Sequence, residues 1–136
     1  MASFQQKLNI SIFSGATLGL INLPQTFKMV DSILPLKTIY ASGCPNFVGQ
    51  LLHLLVFAVV SYISMPNKEK NALKLKHTLY GALIAFFVMS PAMFKLTGTL
   101  LGSSISNLNG CPSVLGVILH TLVYVGALVG VMYLPN

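Results

Sequence analysis

Apolar residues run almost unbroken through four stretches of the chain, and polar residues gather between them. The stretches are residues 10–34, 45–65, 78–101 and 112–134. A bilayer core about 30 Å thick needs about 20 apolar residues in a helix, so each stretch is long enough to span. The second and fourth are uninterrupted. The first is broken by Pro24 and Lys28, and the third by Pro91 and Lys95.

The breaks recur at a fixed distance. Pro24, Phe27 and Lys28 match Pro91, Phe94 and Lys95, 67 residues further on. At the same offset, Gly43, Cys44, Pro45, Gly49 and His53 match Gly110, Cys111, Pro112, Gly116 and His120. The match runs without a gap from Pro24 to Met65. Shared apolar residues are cheap coincidences between membrane helices. A shared Pro-x-x-Phe-Lys followed by Gly-Cys-Pro-x-x-x-Gly-x-x-x-His is not, and it marks an internal duplication.

The expected fold is therefore an all-α integral membrane protein, one membrane domain over residues 1–136. It has four transmembrane helices as two tandem parallel two-helix repeats. Repeat 1 covers about residues 8–66 and repeat 2 about 78–134, with a lysine-rich loop at 67–77 between them. Two spans per half bring both halves into the membrane from the same side, related by a pseudo-two-fold axis along the membrane normal. Matched positions then share one depth.

Composition agrees. Of 136 residues, 54% are hydrophobic and 7% charged, with mean hydropathy +0.79. A soluble domain carries about 25% charged residues. The net charge is +6. No basic stripe interleaved with aromatics is present, which argues against nucleic acid. Lysines beside a bilayer meet anionic lipid heads. Lys68, Lys70, Lys74 and Lys76 put the central loop, and with it both termini, on the cytoplasmic side. The Asn9-Ile10-Ser11 sequon then stays cytoplasmic and unmodified. No cleavable signal peptide is expected at the N-terminus.

Close helix packing is expected at small residues. The pairs are Gly15 and Gly19, Gly98 and Gly102, and Gly126 and Gly130. Pro45 and Pro112 suit the first helical position, which makes Cys44 and Cys111 the N-caps. Gly49 and Gly116 follow, each four residues before a histidine and on its face. They are expected to bring the second and fourth spans together, with His53 and His120 flanking the contact.

Three pairs are candidates for chemistry. Cys44 and Cys111 share a depth, so a disulfide or two free thiols are both open; there is no Cys-x-x-Cys. His53 and His120 are intramembrane polar groups, and such groups are functional candidates by default. They are read either as neutral imidazoles hydrogen-bonded across the bundle or as axial ligands of a b-type haem. A shared Cys2His2 zinc is disfavoured, since cysteine and histidine on one helix lie about 13 Å apart; no metal site is expected. Lys28 and Lys95 either snorkel to the interface, line a polar path or grip a lipid phosphate.

No paired carboxylates, phosphate-cradling loop or Ser-His-Asp set appears. The leading expectation is a non-enzymatic structural membrane protein without a cofactor. It would be a small subunit among other membrane or capsid-like subunits, in an organellar complex or the internal membrane of a large virus particle. The alternatives are an oligomeric channel or carrier using the lysine and histidine pairs, and a haem b electron carrier.

Overall fold

A computed structural model of the chain describes residues 3–34, 37, 39, 44–65, 71–106 and 111–133. These residues form six helices: α1 Phe4–Ile21, α2 Pro24–Ile33, α3 Phe47–Ser64, α4 Asn71–Val88, α5 Pro91–Leu101 and α6 Val114–Val131. The described structure is otherwise turns and isolated bridges. The helices α3 and α6 are each long and apolar enough to cross a membrane. A third crossing results if α4 from Lys74 and α5 count as one span, bent by 48° at the break before Pro91.

The first and third apolar stretches are thus each two helices. Their breaks have a local cause. Pro24 and Pro91 lack the N–H that would continue the preceding helix, and both suit the first turn of a new one. Hydropathy does not register such a break, because apolar residues continue through it.

Helix starts also differ from the sequence reading. The helix α4 begins at Asn71, inside the stretch read as a loop over 67–77, so Lys74, Lys76 and His77 are helical. Lysine is a good helix former, so a cluster of lysines does not by itself end a helix. The N-caps of α3 and α6 are Asn46 and Ser113, not Cys44 and Cys111. Each cap side chain accepts the backbone N–H three residues on, Gly49 at 2.8 Å and Gly116 at 3.0 Å. A cysteine sulfur is a weak acceptor, so the carboxamide and hydroxyl oxygens prevail. Pro45 and Pro112 stay extended and bridge antiparallel to Ile39 and Ser106.

The four long helices form a ring. The helix α6 packs against α1 and α4, and α3 against the same two. The two apolar helices α3 and α6 therefore stand on a diagonal, and the expected close approach at Gly49 and Gly116 does not occur. Matched depth constrains height in the membrane, not lateral neighbours. What crosses the diagonal is a pair of rings: Phe57 meets Tyr124 edge-on at 5.9 Å. Tyr124 is fully buried, and its hydroxyl pairs with Ser14 at 2.9 Å. Leu18, Ala85, Val117 and Leu128 pack around this centre.

Candidate functional site

The last carbonyls of a helix have no partners within it. At the two breaks these carbonyls meet histidine. The His53 Nδ1–H donates to the Ile21 carbonyl at 2.7 Å, and the His120 Nδ1–H donates to the Val88 carbonyl at 2.6 Å. A carbonyl only accepts, so Nδ1 carries the hydrogen in both rings. Each imidazole also stacks on the phenylalanine of the following short helix. Phe27 lies 3.8 Å from His53 and Phe94 lies 4.0 Å from His120, both tilted by 13°. Both histidines and both phenylalanines are buried. Each histidine therefore holds a long helix, its break and the short helix beyond it to the next long helix.

The two sets differ at the second ring nitrogen. His120 Nε2 accepts from the Thr97 hydroxyl at 2.8 Å. His53 Nε2 is buried without a partner. The residue in the place of Thr97 on α2 is Val30. Leaving a buried acceptor unpaired costs about 1–3 kcal/mol, and a new hydrogen bond contributes about 1 kcal/mol. Thr97→Val is expected to destabilise and Val30→Thr to stabilise the protein. Thermal unfolding in mild detergent checks this, and equal signs for the two variants would refute the pairing.

Above the histidines, Cys44 and Cys111 lie at disulfide distance, with Cα atoms 5.1 Å apart. Beside them is a cavity of about 20 Å³, lined by Asn22, Phe27, Pro45, Gln50, Met89, Pro91, Phe94 and Pro112. It has room for about one water. Gln50 reaches across to the Met89 carbonyl at 3.4 Å.

A shared haem does not fit this arrangement. Both nitrogens of His120 are engaged, each ring has a phenylalanine on its face, and the two histidines sit on diagonal helices. Lys28 and Lys95 are exposed on α2 and α5, apart from the buried histidines.

The glycines divide into three groups. Gly15 and Gly19 face α6, where a β-carbon on Gly15 would overlap the Val125 side chain and one on Gly19 would lie 2.8 Å from the Thr121 hydroxyl. Gly98 and Gly116 instead accommodate the chain that follows α5: Gly98 lies against Ser106, and Gly116 against the Ile105 carbonyl. Gly126 and Gly130 are exposed and meet nothing within 4 Å among the described residues, so they do not pack the bundle. Gly102 likewise meets nothing; it ends α5 at φ +107°, a conformation that favours glycine. Gly49 is buried at the third position of α3. Gly43 and Gly110 lie outside the described residues.

Sequence reasoning missed the role of Phe27 and Phe94, although their recurrence beside proline and lysine was a signal. Thr97 gave none, since its counterpart is valine. Comparison with protein-family models, curated proteins and solved structures finds no match to this chain.

Proposed function

We propose that the chain is a non-enzymatic structural membrane protein, a small subunit of a larger membrane assembly. In this reading it spans four times, as two tandem parallel two-helix repeats about a pseudo-two-fold axis along the membrane normal. The lysine-rich segment and both termini face the cytoplasm. Support for the repeat comes from the helix bounds. The helices α4 and α6 start 67 residues after α1 and α3 and have the same 18-residue length. Phe57 and Tyr124, which meet at the centre, occupy matched positions, as do the two histidine sets.

One observation carries the functional reading. The buried histidines and the hydroxyl of Ser106 are turned onto the chain's own carbonyls, Ser106 on Phe94 at 2.6 Å. They brace the fold, while Leu20, Leu55, Ile63, Leu83, Leu100 and Leu122 are exposed on its outside. Such an exterior suits lipid and neighbouring helices.

Purification in mild detergent, with partners identified by mass, tests it. Stoichiometric co-purification of other membrane subunits is the expected outcome. A chain that purifies alone and conducts ions in liposomes, with selectivity changed by Lys28→Gln plus Lys95→Gln, would replace it with the channel reading.

A further inference from the structure

Asn22 and Gln50 bring two carboxamides to the cavity beside the disulfide. Asn22 caps the end of α1, and Gln50 lies in the first turn of α3. In each, the nitrogen is committed to a backbone carbonyl. Asn22 Nδ2 donates to Leu18 at 2.9 Å, and Gln50 Nε2 donates to Met89 at 3.4 Å. A carbonyl only accepts, so these bonds fix which end of each carboxamide is oxygen. No donor among the described residues reaches either oxygen. Among those residues, the side-chain atoms both sealed from water and unpartnered are His53 Nε2, Thr78 Oγ1 and Thr121 Oγ1. The Asn22 and Gln50 oxygens are not of that kind. They have accessible space beside them, and the space that both residues line is this cavity.

The repeat does not account for the pair. Asn22 is matched by Met89 and Gln50 by Val117, 67 residues on, and both of those are apolar. The remaining walls are rings of phenylalanine and proline. The first half alone therefore supplies polar side chains to a cavity otherwise lined by apolar ones. Its volume of about 20 Å³ suits one water. An ion does not suit it. No charged residue lines the cavity, and an ion stripped of its hydration there would meet only neutral groups. A water needs no counter-charge and carries two hydrogens, one for each waiting oxygen.

We propose that the cavity holds one ordered water, which donates to Asn22 Oδ1 and Gln50 Oε1. The result is a continuous polar link between the two helix breaks. It runs from Asn22, at the break after α1, through the water to Gln50. From Gln50 it continues to the Met89 carbonyl, at the break after α4. The link is independent of the subunit role and of the number of membrane spans.

The test is NMR of the full isotope-labelled chain in mild detergent, reading water-proton cross-peaks at the carboxamide hydrogens of Asn22 and Gln50. Cross-peaks of opposite sign in NOE and ROE spectra are expected at both, the mark of a water held nearby rather than of exchanging hydrogens. Gln50→Leu should abolish the Asn22 cross-peak, and Asn22→Leu the Gln50 one, because a buried water needs at least two partners. Gln25→Leu removes an exposed carboxamide from α2 and should leave both cross-peaks in place. The wild-type spectrum decides alone should the Gln50 and Asn22 variants fail to fold. Absence of both cross-peaks from the folded wild type would overturn the proposal. So would an Asn22 cross-peak unchanged in Gln50→Leu. Tm is expected to be the same in sodium chloride and choline chloride at equal ionic strength. A sodium-dependent rise in Tm that is lost in Gln50→Leu would place a cation in the cavity and refute the water.

Discussion

Gly116→Ala is expected to destabilise the protein by about 3 kcal/mol, at the upper end of what overpacking usually costs. The β-carbon would overlap the Ile105 carbonyl oxygen, a backbone atom. That atom is poorly able to yield. The Ile105 carbonyl accepts the Ser113 N–H at 3.0 Å, Ser106 is bridged to Pro112, and the Ser106 hydroxyl is bound to the Phe94 carbonyl at 2.6 Å. Moving Ile105 aside therefore strains the α6 cap, the chain after α5 and the start of α5 together. The backbone at Gly116 is ordinary helix, so the effect is one of space alone. Gly126→Ala is the matched control. Nothing lies within 4 Å there among the described residues, and alanine has the higher helix propensity by up to about 1 kcal/mol. Opposite signs in thermal unfolding are the expected result. A Gly116→Ala variant as stable as Gly126→Ala would mean that the chain after α5 does not lie on α6.

The contrast between these glycines shows where sequence reasoning reached its limit. The recurrence of Gly-Cys-Pro, glycine and histidine at one offset identified both helices and both candidate pairs. An offset fixes correspondence, not adjacency. The expectation that Gly49 and Gly116 bring the two helices together took correspondence for adjacency. In the fold, the partner of Gly116 is a turn that hydropathy reads as featureless polar sequence. Gly126-x-x-x-Gly130 has the same spacing as Gly15-x-x-x-Gly19, yet among the described residues only the second faces another helix. Spacing alone carries no record of which side of a helix is covered.

The histidines were legible as polar groups that must avoid lipid. Their partners were not. The need for a donor at Ile21 and Val88 arises from the helix breaks, and an apolar run hides a break unless proline is weighed above hydropathy. Pro24 and Pro91 were seen as interruptions, and Phe27 and Phe94 as part of the repeat. Joining them to a histidine some 26 residues downstream requires the fold. Lys74 was hidden for a related reason. A lysine cluster reads as solvated, and Lys74 is buried while its neighbours Leu75 and Lys76 are more open.

Removing the bridge between Cys44 and Cys111 is expected to cost about 2–4 kcal/mol, the range for closing a long loop. The bridged cysteines are 67 residues apart, roughly half the chain. Chain entropy would put the effect near the top of that range for a fully unfolded chain. A denatured state that keeps its helices in detergent has less entropy to regain, which lowers it. The position of the bridge makes the loss specific. It precedes both α3 and α6, the diagonal pair that otherwise meets through Phe57 and Tyr124. Each of these helices packs instead on α1 and α4, so two kinds of tie hold the halves together. They separate experimentally. With a protease site placed between residues 66 and 70, the cut chain should run as one species in SDS without reductant and as two with it. In mild detergent the halves should remain together after cutting and reduction, because α1 rests on α6 and α3 on α4. Cys44→Ser plus Cys111→Ser should unfold at a lower temperature than the unreduced wild type and match the reduced one. Coincident unfolding of the double variant and the unreduced wild type would show that the cysteines carry no stabilising bond.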